Sequence, residues 1–261
     1  MAETHADTVA VITGGAQGIG RAIAEALIAG GCRRIVIAGR TRATGEAAAE
    51  ALRVRGADAR FVAADMARVE DARGLIDRAA GMFGKVDALV NAAASSERGS
   101  ILDTDPDLWD RLFATNARGP FFALQRMAQR AIEDGHPATC VNVLSMVVHG
   151  GQSFLAPYSA SKAALANVTK NAAQTLRHHR IRVNGINCGW MDTPGEDVVQ
   201  KRFHGAGEDW REAAGARLPF GRLVDPAEVA VLAAYMLGPQ SGVMTGSVVD
   251  FDQVVAGAYP E

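Results

Sequence analysis

Near its start the chain reads Thr8-Val-Ala-Val-Ile-Thr-Gly-Gly-Ala-Gln-Gly-Ile-Gly20, and an Ala-rich helical pattern follows. The apolar part predicts a buried strand. The glycines allow a tight turn in which the backbone can approach a pyrophosphate, whose charge the N-terminus of the next helix stabilises. A glycine cluster alone is also typical of an ordinary flexible turn. Its position between a strand and a helix favours a dinucleotide-binding turn, formed by Gly14, Gln17, Gly18, Ile19 and Gly20.

Short apolar runs and longer helical patterns alternate through the rest of the chain. Strands that are apolar on both faces are expected in a parallel sheet with helices on both sides. The runs predict strands at Thr8–Thr13, Ile35–Ala38, Arg60–Ala64, Ala88–Val90, Cys140–Leu144 and Ser247–Phe251. Helices are predicted at Ile19–Ala29, Thr44–Arg55, Val69–Met82, Asp107–Ile132, Tyr158–His178 and Pro226–Leu237. We therefore predict an α/β fold, a doubly wound parallel sheet with right-handed crossovers.

No linker, repeat or charge run divides the chain, so we predict one domain over residues 1–261. Residues 190–218 mix glycine, proline and charged side chains around a short helical pattern. They come late in the chain, where a loop over the ligand site is expected. We expect residues 190–218 to form a substrate lid within that domain.

The overall composition limits the partners. The formal net charge of the 261 residues is -2, with 48% hydrophobic and 21% charged residues, which argues against nucleic acid or an acidic membrane surface as a partner. The first residues lack a signal-peptide pattern, and no apolar run is long enough to span a bilayer. The three cysteines and six histidines show no metal-ligand spacing, so no metal site is expected. We expect a soluble, cytoplasmic protein with free thiols.

Polar residues follow several predicted strands, where open α/β sheets bind their ligands. Asp65 and Met66 follow the third strand, and Asn91 and Ala92 the fourth. An acceptor such as Asp65 could bind the adenine amino group.

Arg40 follows the second strand, directly after Gly39. Enzymes that select NAD carry an acid near this position, whereas an arginine can pair with the 2′-phosphate of NADP. Gly39 and Arg40 favour NADP, but Gln17 stands where a second basic residue is often found. Arg40 could also be a solvated loop charge, so NAD remains open.

The strongest indication of chemistry is Tyr158-Ser-Ala-Ser-Lys162. Residues four apart share one face of a helix, and a neighbouring cation favours phenolate and lowers the pKa of a tyrosine. Such a tyrosine can exchange a proton with an alcohol or ketone as hydride leaves or arrives. Ser145 closes the fifth strand, at the edge where it could bind a substrate oxygen. Asn116 interrupts an apolar helix, where it either holds a helix kink or binds a water.

With these motifs in view, the chain resembles the short-chain dehydrogenase/reductase family over nearly its whole length. The resemblance rests on Thr13-Gly-x-x-x-Gly-Ile-Gly20, Asn91-Ala-Ala, Asn116, Ser145, Tyr158-x-x-x-Lys162 and Gly189-Trp-Met-Asp-Thr193. It implies a Rossmann-type sheet and a catalytic tetrad of Asn116, Ser145, Tyr158 and Lys162.

In that tetrad the resemblance makes Tyr158 the general acid or base, while Ser145 polarises the substrate oxygen. Lys162 binds the nicotinamide ribose and lowers the pKa of Tyr158, and Asn116 positions a water in a proton relay. Gly189 and Thr193 are implied as cofactor contacts, Thr193 to the carboxamide or the pyrophosphate.

Three positions depart from the family pattern. Ala94 replaces a usual glycine, which requires a backbone φ outside the positive region. Cys188 replaces a usual proline and brings a thiol near the nicotinamide. Phe251-Asp-Gln253 replaces the glycines that usually follow Asp250.

We therefore expect an NAD(P)-dependent oxidoreductase that interconverts a secondary alcohol and a ketone. A non-catalytic dinucleotide-binding regulator is the alternative from another class, although it would not need the tetrad. A nucleotide-sugar epimerase or dehydratase is a second alternative, although those enzymes tend to have a longer chain with a substrate domain. Polar residues in and near the lid favour a polyol, sugar or hydroxy acid as substrate: Asp192, Glu196, Asp197, Arg202, His204, Trp210, Ser95, Glu97 and Arg98.

A homotetramer is expected mainly from the resemblance. The helices Asp107–Ile132 and Tyr158–His178 also carry apolar or small residues on more than one face, so one face is left for a partner subunit. The mildly apolar end, residues 253–261, has no evident place in the core and is expected to dock on a neighbour.

Overall fold

The computed structural model describes residues 4–258. Seven parallel strands form one sheet in the order β3-β2-β1-β4-β5-β6-β7. The strands are β1 (Val9–Thr13), β2 (Arg34–Gly39), β3 (Asp58–Ala63), β4 (Ala88–Asn91), β5 (Ala138–Ser145), β6 (Ile181–Cys188) and β7 (Val248–Phe251). The strand order reverses between β1 and β4, and ligands of such sheets bind in the crevice at this point.

Helices cover both faces of the sheet, which confirms the predicted fold class. They are α1 (Gly18–Ala29), α2 (Arg42–Val54), α3 (Val69–Phe83), α4 (Pro106–Phe113), α5 (Gly119–Glu133), α6 (Ala156–Leu176), α7 (Pro194–His204), α8 (Trp210–Gly215) and α9 (Pro226–Leu237). One apolar core joins α1, α2 and α9 to the sheet, and a second joins α3, α5 and α6 to its other face. Within residues 4–258, no helix combines the length and the apolar character needed to cross a membrane.

Strand β6 was not predicted from the sequence. Polar residues and a glycine interrupt its apolar pattern, because Asn184 and Asn187 are buried in the sheet. Their side chains are hydrogen-bonded: Asn184 donates to the carbonyl of Met244 at 2.9 Å, and Asn187 donates to Asp250 at 2.7 Å. Buried polar groups with such partners do not break a strand, but a search for apolar runs misses them.

The predicted helix Asp107–Ile132 is interrupted. A π-helical turn at Ala114–Arg118 separates α4 from α5, and Asn116 lies within it. A π turn inserts one extra residue into the helix, and it frequently marks a functional position. The predicted helix Tyr158–His178 ends earlier, because a 3-10 turn at Arg177–His179 follows α6.

Candidate active site

The turn between β1 and α1 requires glycine. Gly14 has a φ of 67°, and a Cβ there would lie 2.9 Å from the Cα of Ala93; a Cβ on Gly20 would lie 2.5 Å from the carbonyl oxygen of Gly14. No side chain caps the N-terminus of α1, and its first turn carries no acid. Its free N–H groups can therefore receive an anionic group, so the turn fits a dinucleotide pyrophosphate.

Arg40 lies at the carboxyl end of β2 with its side chain exposed, beside Gly39. The next arginine, Arg42, instead forms an ion pair with Glu46 at 3.5 Å. Arg40 makes no ion pair with any residue between 4 and 258, so its guanidinium is available to a ligand phosphate.

Asp65 and Met66 follow β3 at the same edge of the sheet. One oxygen of Asp65 accepts a hydrogen bond from the backbone N–H of Ala67 at 3.0 Å. Met66 is buried under the start of α5, where a Cβ on Gly119 would clash with the Met66 carbonyl oxygen.

Asn91 and Ala92, at the end of β4, are already engaged within the fold. The Asn91 side chain is buried and donates to Asn142 Oδ1 at 2.8 Å. The N–H groups of Ala92 and Ala93 both donate to the hydroxyl of Thr13 at 3.1 Å. These groups fix the β4 loop beside the glycine turn, so any cofactor contact would use other atoms of Asn91 and Ala92. Ala94 has no positive φ, as its alanine side chain requires.

Gly189 directly follows β6, and Thr193 lies near the start of the predicted lid. A Cβ on Gly189 would clash with the carboxylate of Asp252, so this close approach requires glycine. Thr193 begins α7, and its hydroxyl accepts from the N–H of Glu196 at 3.1 Å. A Cβ on Gly18 would lie 3.5 Å from the Thr193 side chain, so α7 begins directly beside the glycine turn.

Tyr158 and Lys162 lie one turn apart on α6. The Lys162 ammonium is buried, lies 5.9 Å from the centre of the Tyr158 ring, and donates to the carbonyl of Val143 at 2.7 Å. Tyr158 and Ser145 both line the main cavity at this edge of the sheet. The structure thus brings three of the four predicted catalytic residues together.

Burial opposes the ionisation of both Tyr158 and Lys162. It raises the pKa of Tyr158 to about 12, although the interaction with the Ser145 hydroxyl lowers it. Burial also lowers the pKa of Lys162 to about 8. For the protein alone, desolvation of the phenolate outweighs the nearby favourable interactions, and the lowering of the Tyr158 pKa by Lys162 stays a prediction. Cys188 lines the same cavity, and burial raises its pKa to about 12, so it is a neutral thiol.

Asn116 is fully buried, and its side chain forms hydrogen bonds to α6 and to the loop after β4. Its Oδ1 accepts from the N–H of Ser95 at 2.8 Å, and its Nδ2 donates to the Ser95 carbonyl at 2.8 Å. Nδ2 also donates to the hydroxyl of Ser161 at 3.0 Å, which in turn donates to the carbonyl of Tyr158 at 2.7 Å. Both side-chain N–H bonds are used, so the side chain holds the π turn against the helix that carries Tyr158.

Several supporting groups were not recognised from the sequence. They are the Thr13 hydroxyl, the Val143 carbonyl, Asn142 and Ser161. Ser161 alone had a local signal, since it lies three residues after Tyr158 on the same helix. The others become neighbours only when the strands align.

The main cavity has a volume of about 840 Å³. Residues 190–218 contribute Trp190, Met191, Glu196, Gln200, His204 and Leu218, and the chain after β7 contributes Asp252, Val254, Ala256 and Gly257. Gln253 accepts from the N–H of Phe220 and donates to the carbonyl of Arg222, both at 2.7 Å. Residues 254–258 are nevertheless exposed, so the mildly apolar end lies outside the core and its docking on a neighbour stays a prediction; residues 259–261 lie outside the described residues.

Over the part of the chain that the structure describes, no three His, Cys, Asp or Glu side chains cluster in a way that could hold a metal ion. The candidate site therefore consists of the glycine turn, the carboxyl ends of the strands and the residues around Tyr158.

Comparison with known proteins gives relatives over nearly the full chain. A family model described as enoyl-(acyl carrier protein) reductase matches residues 14–253. The cis-4-hydroxycyclohexanecarboxylate dehydrogenase of Sinomonas cyclohexanicum is 34% identical over 253 residues, which cover 97% of this chain and 98% of the relative. The NADP-dependent (R)-specific alcohol dehydrogenase of Lentilactobacillus kefiri is 32% identical over 254 residues, 96% of each chain.

Solved structures agree with these relatives. A variant of actinorhodin polyketide ketoreductase with NADPH superposes with a TM-score of 0.89 at 29% identity. The match covers 99% of this chain and 100% of that one.

Proposed function

Because the chain belongs to the short-chain dehydrogenase/reductase family of NAD(P)-dependent oxidoreductases, which act on CH–OH groups, we propose that it interconverts a secondary alcohol and a ketone with Tyr158 as general acid or base. The observation that carries this proposal is the arrangement of Tyr158, Ser145 and Lys162. Two of them line one cavity at the ligand-binding edge of the sheet, and the Lys162 ammonium lies 5.9 Å from the tyrosine ring.

Each residue has a distinct task in this proposal. In the oxidation direction the Tyr158 oxygen accepts the proton of the substrate hydroxyl, and in reduction it returns a proton to the ketone oxygen. The Ser145 hydroxyl donates a hydrogen bond to the same substrate oxygen. The Lys162 ammonium, oriented by the Val143 carbonyl, favours the phenolate form of Tyr158 and holds a cofactor ribose.

The bound nicotinamide cofactor supplies the hydride acceptor or donor. Gly14, Gly18 and Gly20 would hold its pyrophosphate against α1, with Gln17 and Ile19 in the same turn. Thr193 begins α7, and its side chain lies 3.5 Å from a Cβ built on Gly18, which supports a role for Thr193 at the pyrophosphate or carboxamide. Asn116 acts as a positioning residue for α6. Its two side-chain N–H groups are already used, so a proton-relay water would have to bind another atom of Asn116.

We propose NADP as the preferred cofactor. Arg40 is exposed at the end of β2, and Gly39 presents no carboxylate that would repel a phosphate. The names of one relative and one solved structure include NADP or NADPH, which supports the same preference.

The substrate is proposed to be a small polar alcohol: a polyol, a sugar or a hydroxy acid. Charged and amide side chains reach the cavity from several elements, among them Arg98, Glu196, Gln200 and Asp252. Aromatic rings of Phe154 and Trp190 complete the lining. A cavity for a purely apolar substrate would not bury so many polar groups.

We also propose that the enzyme is a homotetramer that works in the cytoplasm, with residues 190–218 as its substrate lid. The three cysteines are buried and free, as a reducing compartment requires. Exposed Trp109 and Phe121 leave an apolar surface on α4 and α5 that a second subunit could cover.

A substrate screen tests the proposed function. Polyols, sugars, hydroxy acids and neutral secondary alcohols are each incubated with NAD⁺ or NADP⁺ while the absorbance of the reduced cofactor is followed. We expect turnover of at least one class with the wild type and its loss in Tyr158→Phe. Absence of turnover in both directions, with alcohols and with ketones, would contradict the proposal.

A further inference from the structure

Arg98 is the only Lys or Arg side chain among the described residues that line the main cavity. It belongs to the loop after β4, yet its side chain is only 14% exposed. Burial lowers the pKa of Arg98, whereas the nearby Glu196 and Tyr158 raise it. The guanidinium is thus a desolvated cation in the same cavity as the phenol of Tyr158.

Two hydrogen bonds and an aromatic ring fix the orientation of this guanidinium. Its Nε donates to Nε2 of His204 at 3.1 Å, and its Nη1 donates to the carbonyl of Ser96 at 2.8 Å. Its Cζ lies 5.5 Å from the centre of the Phe154 ring. Arginine has five N–H donors, so three remain without a hydrogen bond to the described residues.

The carboxylates of the cavity do not use these donors. Oε1 of Glu196 lies 4.0 Å from Nη2 of Arg98, which is too far for a hydrogen bond. That oxygen instead accepts from Trp190 Nε1 at 2.9 Å and from Gln200 Nε2 at 2.7 Å.

Asp252 is the other carboxylate in the lining, and it lies against Gly189 at the end of β6. The described lining therefore holds one cation, Arg98, with Glu196 4.0 Å from it and Asp252 against Gly189.

We propose that Arg98 binds a carboxylate group of the substrate, which makes the substrate a hydroxy acid and its product a keto acid. The free edge of a guanidinium matches a carboxylate with two parallel N–H···O bonds. This inference rests on the proposed alcohol–ketone activity, and it selects one of the three substrate classes.

The first experiment compares acids with uncharged isosteres. Steady-state kcat/KM is measured for 3-hydroxybutyrate and mandelate, each against its methyl ester. We expect the wild type to favour the acids by about 10- to 100-fold, the range for hydrogen bonds to charged groups. Equal kcat/KM for acids and esters, or turnover of neutral alcohols alone, would overturn the role of Arg98 and leave the proposed function standing.

Variants assign the preference to Arg98. Arg98→Met should lower kcat/KM for the acids at least ten times more than for the esters, mainly through KM. Arg98→Lys should restore part of the preference, because lysine keeps the charge but not the paired donors. Arg78→Met is the matched control, since Arg78 is exposed on α3 outside the cavity lining and its loss should keep the full preference. Equal losses for acids and esters in Arg98→Met would mean that Arg98 only holds the lid.

A binding measurement gives a readout besides activity. Benzoate and benzamide are titrated calorimetrically into wild type and Arg98→Lys, each with and without NADP⁺. We expect the wild type to bind benzoate at least tenfold more tightly than benzamide. In Arg98→Lys this preference for benzoate over benzamide should be smaller. If no alcohol or ketone is turned over, the proposed function fails, but benzoate binding still tests whether Arg98 binds a carboxylate. A wild type that binds benzoate and benzamide equally would overturn that role of Arg98.

Discussion

The ammonium of Lys162 and the phenol ring of Tyr158 lie 5.9 Å apart, and a 2.7 Å hydrogen bond to the Val143 carbonyl fixes the ammonium. Burial raises the pKa of Tyr158 and lowers that of Lys162, so it opposes the charged form of both. The two residues can nevertheless support each other, because a cation stabilises a phenolate. The reaction proposed above depends on this mutual stabilisation.

Replacement of Tyr158 by phenylalanine removes the ionisable hydroxyl and keeps the ring. We expect kcat to fall by about 10²–10⁴-fold, the usual contribution of a general acid or base. Cofactor affinity, followed by quenching of protein fluorescence, should stay within a few-fold of wild type. A variant that retained more than a tenth of wild-type kcat would exclude Tyr158 as the acid or base.

Replacement of Lys162 by methionine should shift the pH profile of alcohol oxidation. Oxidation needs the deprotonated phenol, so kcat/KM rises as the pH approaches the pKa of Tyr158. Loss of the neighbouring cation raises that pKa further, and the rising limb should move to higher pH. Lys170→Met is the control, because Lys170 is exposed on the same helix two turns later. An unchanged profile in Lys162→Met would show that Lys162 does not act on Tyr158.

Much of the architecture could be predicted because the apolar runs are long and the turns between them carry glycine or proline. Strand β6 was missed because Asn184, Gly185 and Asn187 interrupt its apolar pattern, and their side-chain partners lie about 60 residues away. The break in the long helix was foreseen only as a kink at Asn116. Its π geometry depends on hydrogen bonds to Ser95 and Ser161, which no local pattern encodes.

The site was predictable to the extent that its residues belong to short motifs. The Tyr158–Lys162 spacing fixes one helix face, and the glycine turn fixes one strand–helix junction. Protonation was not predictable, because the pKa of Tyr158 depends on burial by parts of the chain that are distant in sequence. The distinct position of Arg98 likewise follows only from the packing of His204 and Phe154 against it.

Arg40 is expected to select NADP. Arg40→Ala should weaken NADP⁺ binding roughly 10-fold, through loss of a charge-assisted hydrogen bond to the 2′-phosphate, and should change NAD⁺ binding little. Arg42→Ala serves as control, because Arg42 is already paired with Glu46. Dissociation constants from fluorescence titration decide the matter. Equal losses for both cofactors, or a wild type that prefers NAD⁺, would contradict the assignment.

His5 should make the stability depend on pH. It is buried, and burial lowers its pKa, although the backbone of Ala234 acts in the opposite direction. The folded protein therefore binds a proton less readily than the unfolded chain. The stability that neutral His5 contributes is fully present above the pKa of His5 in the unfolded chain, about 6.5. It is lost as the pH falls towards the lower pKa of His5 in the folded protein.

Thermal unfolding at about pH 7.5 and pH 5.5 measures this effect. We expect the decrease in Tm between the two pH values to be smaller in His5→Gln than in wild type. His178→Gln removes an exposed histidine and should retain the wild-type decrease. If His5→Gln also retained the full decrease, the pH dependence would come from another group.

The proposed tetramer makes the apolar surface on α4 and α5 a subunit interface. Leu108, Leu112, Leu124 and Met127 are buried in the chain itself, whereas Trp109 and Phe121 remain 43% and 42% exposed. Trp109 stacks on Phe113 with ring centres 4.6 Å apart. Large aromatic side chains at such exposure are typical of the centres of protein interfaces.

Light scattering at micromolar concentration should therefore give a mass about four times that of one chain. Trp109→Glu combined with Phe121→Glu places like charges opposite each other across a two-fold axis, and it should reduce the mass to that of a smaller species. Val54→Glu is the control, because Val54 is 81% exposed at the end of α2, on the opposite face of the sheet. A wild type with the mass of a single chain would refute the interface. If the double variant kept the full mass, the subunit interface would have to lie elsewhere on the surface.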